Sequence, residues 1–262
     1  MVTDQIRLYA QPGCSSCLKA REFLQQNVEE FEYINVLEDS DAMDFLLKRG
    51  IRAVPVVTVG DRHCMAISLK DLAEFLELET DQRRRLSPSE LADRYCEVLP
   101  VAAKLVFEMP DWLMSTIPPA LLNNSAVKTR HRPPGEVAVH IFEVATRFLN
   151  AYENDHFART QPMDPARYQS ASTVGDYAAS VINRLEEWRS AVKPVIGSFD
   201  REIGTWYGPQ QGHDLLERCV WHSAQHTRQL HAILVAADVE PSVNLTEALL
   251  RGLPMPTGLW GD

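Results

Sequence analysis

Long apolar runs are what this sequence most plainly lacks. No stretch approaches the roughly 18 apolar residues that a membrane-spanning helix needs. The opening residues, Met1 to Ala10, include Asp4 and Arg7 and hold no apolar core of the signal-peptide kind, so a cytoplasmic chain is the expectation. Basic residues are the second shortage. Lys and Arg number 26 against 36 Asp and Glu, a formal charge of −10. An acidic surface repels phosphate backbones and anionic headgroups, which argues against nucleic acid and membranes as partners. Cysteine is scarce and odd in number, at five, so no disulfide framework is expected. Repeats and low-complexity segments are absent too. What remains is 45% hydrophobic and 24% charged over 262 residues. That composition is ordinary for globular proteins and excludes a largely disordered chain.

The periodicity changes once along the chain. Over residues 1–80 strand and helix patterns alternate: strands at Ile6–Tyr9, Phe31–Val36, Val54–Val59 and His63–Ala66, and helices at Cys14–Gln26, Ser40–Gly50 and Leu69–Leu78. Ser40 reads as an N-cap and Gly50 as a helix stop. The order βαβαββα fits a small α/β layer. Residues 81–87, with Arg83-Arg84-Arg85, read as a solvated linker. Ser87-Pro88-Ser89-Glu90 is then a capping box with proline at the first helical position, the start of a second domain over 88–262. From there the pattern is helical, with four long helices expected near 88–107, 135–152, 174–192 and 213–237. The first carries Leu91, Tyr95, Val98, Leu99 and Ala102 on one stripe. The loop after it is long, about 25 residues, a length at which loops are often functional. An all-α four-helix bundle is the expected architecture of this half.

Cys14-Ser15-Ser16-Cys17 follows a strand and a turn, at the start of a helix. Backbone N–H groups there favour a thiolate and lower the pKa of the first cysteine, while the second lies one turn away, close enough to resolve a mixed disulfide. Pro55 opens a strand, and a cis bond at Val54-Pro55 would set backbone beside the pair. A structural metal site and inert thiols are the competing readings, although no second CxxC exists and Leu18 excludes a c-type haem signature. Cys64, Cys96 and Cys219 read as buried hydrophobes.

Tyr9, Pro12, Gly13, Cys14, Cys17, Val54, Pro55 and Gly60-Asp61 resemble the glutaredoxin/thioredoxin-like family over about 80 residues. The resemblance implies a thioredoxin-like fold, Cys14 as nucleophile, Cys17 as resolving thiol, and Val54 and Pro55 as the cis-proline side of a groove for a thiol such as glutathione. Where glutaredoxins usually carry a Gly-Gly pair, this chain has His63-Cys64-Met65-Ala66-Ile67-Ser68.

Eight histidines are present, and seven follow residue 130. His222 and His226 stand at i,i+4, which puts both rings on one helix face. That face holds Leu215, Cys219, Leu230 and Ile233, so it points inward. His140 lies on the stripe Val137, Val144, Phe148 and Ala151 of another helix. Three inward imidazoles from two helices offer three nitrogen ligands and an open position, the catalytic arrangement of a metal. Core histidines without metal are the alternative. Glu143, one turn beyond His140, reads first as a surface residue and second as a group acting beside His140. His213 reads as a helix cap, His231 faces away from the pair, and Trp188, Trp206 and Trp221 read as core or pocket wall.

Val139-His140-Ile141 and the late His-x-x-x-His (His222, His226), followed by Gln229-Leu230, resemble the DinB/YfiT-like family of four-helix-bundle metalloenzymes over about 170 residues. The resemblance implies that His140, His222 and His226 bind a divalent metal, often zinc or nickel, and that the chemistry is thiol-dependent transfer or isomerisation. The expectation is therefore a metal-dependent, thiol-using transferase or isomerase with a glutaredoxin-like dithiol module. Its partners would be a small-molecule thiol and an electrophile or disulfide substrate, with a homodimer among the expected assemblies. A stand-alone thiol-disulfide oxidoreductase with a non-catalytic bundle, a redox or metal sensor, and a hydrolase are the alternatives.

Overall fold

The computed structural model describes residues 5–79, 84–159, 161–192 and 199–261. Residues 81–83 of the expected linker lie outside these. The chain forms two compact units. One comprises residues 1–83, 124–130 and 256–262, and the other 84–123 and 131–255.

The first unit is built on a four-stranded sheet. Its strands are β1 (Ile6–Ala10), β2 (Glu32–Asn35), β3 (Val56–Val59) and β4 (Arg62–Met65), in the order β2-β1-β3-β4. β1 runs parallel to β2, with Leu8 opposite Tyr33, and antiparallel to β3, with Leu8 opposite Val57; β4 returns antiparallel to β3. The parallel pair needs a crossover, and helix α1 (Ser15–Asn27) supplies it. Helices α2 (Ser40–Lys48) and α3 (Leu69–Phe75) complete the layer. Leu8, Ala10, Cys17, Ala20, Leu24, Val57, Ala66 and Leu72 form one apolar cluster; Tyr9, Val36, Ala42, Leu46, Ile51 and Val56 form a second. The alternation of strand residues between the two clusters is the period-2 pattern of a buried sheet. The N-cap of α2 is Asp39, not Ser40: its carboxylate accepts the Ala42 amide hydrogen at 2.9 Å.

The second unit is helical, around four long elements: α4 (Pro88–Glu108), α7 (Pro134–Asn154), α8 (Ala171–Val192) and α9 (Gly212–Ala236). α7 packs on α8 and α9, and α4 packs on the same two. α4 starts at the Ser87 capping box, with Pro88 at its head, and runs through Pro100. A mid-helix proline loses a hydrogen bond. Here burial of Leu91, Tyr95, Val98, Leu99, Ala102 and Leu105 on one stripe outweighs that loss. The long connection after α4 is structured: it carries α5 (Asp111–Ser115) and a 3₁₀ turn at Pro119–Asn123, then α6 (Ser125–Arg130), which belongs to the first unit. Three short strands, β5 (His156–Phe157), β6 (Glu202–Thr205) and β7 (Gln210–Gln211), form a small sheet that periodicity did not foretell, because segments of two to four residues carry no pattern. A last short helix, α10, covers Glu247–Leu250.

Arg85 departs from the expected solvated linker. Its guanidinium reaches Asp214 at 2.7 Å and Glu217 at 3.3 Å, both on α9, and is half-buried there. Arg84 remains outside, paired with Glu90. Among the described residues, no helix is long and apolar enough to cross a membrane.

Candidate functional sites

The strand-to-helix turn of the first unit presents a dithiol. Cys14 is the N-cap of α1, and its sulfur accepts the backbone N–H of Cys17 at 3.2 Å. Cys14 and Cys17 are joined as a disulfide, with Cα atoms 5.2 Å apart. Gly13, just before, has φ +70°, and a side chain there would meet the Arg130 side chain and the Ala126 carbonyl of α6. The Val54-Pro55 peptide bond is cis, as the sequence reading allowed. Val54 packs against the apolar clusters, and the Pro55 carbonyl accepts the Ala66 amide hydrogen at 3.0 Å.

The crossover α1 between parallel strands, an antiparallel β3-β4 hairpin, a cis-proline before β3 and a CxxC capping α1 occur together in this unit. Residues 6–64 form a glutaredoxin domain. They match the family model described as Glutaredoxin, which stops short of the helical unit. No curated protein and no solved structure matches the chain. The glutaredoxin domain supplies a thiol-disulfide module, consistent with glutathione use.

The other candidate site lies inside the helical unit. His140 of α7 and His222 and His226 of α9 bring their ring nitrogens within 4.8 Å of one another. Nε2 of His222 stands 3.3 Å from Nε2 of His140 and 3.2 Å from Nε2 of His226. Two nitrogens bound tetrahedrally at 2.0–2.1 Å from one zinc ion are separated by about 3.3 Å. The spacing of the rings therefore fits a metal. His140 and His226 are buried and His222 is nearly so. Burial, foremost, holds His140 and His222 well below the ordinary imidazole pKa; next come Arg132 for His140 and His226 for His222. The His140 and His222 rings are accordingly neutral, the form that ligates.

The groups behind the rings matter as much. Nδ1–H of His226 donates to Oε1 of Gln229 at 2.7 Å, which leaves the Nε2 lone pair directed at the cluster. Nδ1 of His140 lies 3.6 Å from Oε2 of Glu143, whose other oxygen accepts from Arg167 at 2.9 Å. Glu143 is thus not the surface residue first expected; Arg167 and the His140 ring enclose its carboxylate. His140 Nδ1, Glu143 Oε2 and His222 Nδ1 are buried without a hydrogen-bond partner. Buried polar atoms without a partner are unfavourable, and these three lie behind the rings rather than between their Nε2 atoms.

Sequence reasoning missed Gln229 and Arg167 as participants. Gln229 had a signal, since it follows His226 by one helical turn. Arg167 had none, because it stands in a 3₁₀ turn (Pro165–Tyr168) far along the chain. His213 does not cap α9. Its Nε2–H donates to the Leu86 carbonyl at 2.8 Å, and the N-cap is Gln211. Trp188 and Trp221 are buried, and Trp206 is half-buried.

Proposed function

We propose that the protein is a metal-dependent, thiol-using transferase or isomerase carrying a glutaredoxin-like dithiol module. In this reading residues 1–80 are the dithiol domain, 81–87 the join, and 88–262 a DinB/YfiT-like four-helix bundle. The observation that carries it is the approach of His222 Nε2 to the Nε2 atoms of His140 and His226, at 3.3 and 3.2 Å, with all three ligand atoms within 4.8 Å of one another.

His140, His222 and His226 would hold a divalent cation; all-imidazole ligands suit zinc, nickel, copper or iron, and the DinB/YfiT-like resemblance implies zinc or nickel first. A cation held there supplies Lewis acidity, lowering the pKa of a thiol or water so that a nucleophile exists at neutral pH. Gln229 fixes the His226 tautomer. Glu143, anchored by Arg167, stands 3.6 Å from His140 Nδ1 and would act beside that ring as a proton acceptor at Oε2. In the dithiol domain, the Cys14 thiolate attacks a disulfide and expels one thiolate, forming a mixed disulfide. Cys17 then attacks the Cys14 sulfur and expels the second thiolate, which closes the Cys14–Cys17 bond. Val54 and Pro55 would line the groove for a low-molecular-weight thiol such as glutathione. Thiol exchange with a disulfide substrate leaves a mixed disulfide, and a dithiol on the same chain meets it at high effective concentration.

The test is metal content after purification without added metal, for the native chain and for the double variant His222→Ala, His226→Ala. Stoichiometric metal in the first and none in the second supports the reading; equal, near-zero metal in both removes it. The second reading, a thiol-disulfide oxidoreductase with a non-catalytic helical unit, draws on the glutaredoxin match at residues 6–64. It predicts reductase activity that Cys14→Ser abolishes and chelators leave intact.

A further inference from the structure

The dithiol turn is gripped by residues remote in sequence. Gly13, the neighbour of Cys14, donates its amide hydrogen to the Gly261 carbonyl at 2.9 Å. The amides of Thr257 and Gly258 donate to the two carboxylate oxygens of Glu22, at 2.7 and 2.8 Å. Glu22 lies on α1, eight residues beyond Cys14, about 12 Å along the helix. Residues 257–261 therefore run antiparallel to α1, from Glu22 back to the dithiol.

Between the two anchor points the segment lies close against Leu18. A Cβ on Gly258 would stand 3.3 Å from both Leu18 methyl carbons. One on Gly261 would stand 3.3 Å from Leu18 Cβ and 3.5 Å from the Cys14 carbonyl oxygen. A Cβ at either position would press on Leu18 more tightly than ordinary van der Waals contact.

Gly13 must keep φ at +70° for Cys14 to cap α1. Once Cys14 is reduced, the Cys17 N–H aimed at its sulfur stabilises the thiolate. We propose that residues 256–261 are a strap that positions the Cys14 thiolate against the start of α1, with Glu22, Gly258 and Gly261 as positioning residues. The strap rests on the reading of Cys14 as nucleophile. It acts by restricting the turn, so that the Cys17 N–H meets the sulfur in one geometry.

The experiment uses the full reduced chain and compares native protein with Gly261→Val and with deletion of residues 256–262. Iodoacetamide alkylation of Cys14 is followed against pH by peptide mass spectrometry, and hydrogen exchange reports the Gly13 amide. The charged side chains of α1 and α6 (Lys19, Arg21, Glu22, Lys128 and Arg130) are kept in both variants; Gly261→Val also keeps Asp262, and since loss of that anion in the deletion would lower the thiol pKa, a rise in either variant reports the strap. The expected result is loss of Gly13 protection and a Cys14 thiol pKa about one unit higher, hence alkylation about tenfold slower below both pKa values. Glu22→Ala separates charge from positioning: removing a nearby anion alone would lower the thiol pKa, whereas releasing the strap raises it. An unchanged alkylation profile in a folded variant overturns the proposal. So does a Gly13 amide still protected after the deletion. Failure of the nucleophile reading shows differently, as reductase activity retained in Cys14→Ser.

Discussion

Gln229 holds the His226 ring from behind, its Oε1 2.7 Å from Nδ1 and one turn further along the same helix. A ligand held in one tautomer loses less freedom on coordination, and groups in this position typically change metal affinity by 10–100-fold. Gln229→Leu keeps the volume and removes the acceptor. Metal affinity, measured by competition with a chromophoric chelator, is expected to fall by about that factor while the helical circular dichroism stays native. Unaltered affinity would show that Gln229 merely fills space.

Tyr95 and Ser223 test the helical core. Tyr95 O–H donates to Ser223 Oγ at 3.0 Å, and Ser223 donates to the Ile141 carbonyl at 3.0 Å, joining α4, α9 and α7. Ser223→Ala orphans the buried Tyr95 hydroxyl, expected to cost about 1–3 kcal/mol. Tyr95→Phe leaves the bond to Ile141 and costs less. Urea melts followed by helical signal should rank Ser223→Ala below Tyr95→Phe, and the reverse order would refute the chain of bonds.

The remaining thiols supply a pH prediction. Burial, above all, pushes Cys64 and Cys219 up to about 11, with Asp71 adding to the effect at Cys64. A raised thiol pKa keeps the group protonated, so at pH 8 only about one molecule in a thousand carries the thiolate at either position. After reduction, alkylation at pH 8 should label Cys14 long before Cys64 or Cys219. Comparable rates would contradict the burial argument.

Ser87 caps α4 through Oγ, which accepts the Glu90 amide hydrogen at 3.3 Å, while the Glu90 carboxylate accepts the Ser87 amide hydrogen at 2.8 Å. Ser87→Ala should lower stability by about 1 kcal/mol, and Ser87→Asn by little. Thermal unfolding of the two variants against the native chain decides it.

Much of this architecture was legible because local periodicity is strong. Helix α4 runs Pro88–Glu108 where its capping box and apolar stripe put it. Strands β1 to β4 fall within a few residues of their alternating patterns. Other features had no local signal. Glu143 looked like an exposed acid, and its partner Arg167 lies 24 residues away in a short 3₁₀ turn. Arg85 looked solvated in a run of three arginines, and two acids of α9 some 130 residues on draw it inward.

The sequence alone determined that His222 and His226 share one face of a helix, that His140 sits on an apolar stripe, and that Cys14 and Cys17 stand one turn apart. All three follow from backbone periodicity, which is fixed within a single element. Tertiary structure decided that α7 meets α9 in the register that sets Nε2 of His140 3.3 Å from His222, and that residues 257–261 lie along α1. Those depend on how side chains from distant elements interlock, and periodicity within an element carries no record of its offset against another.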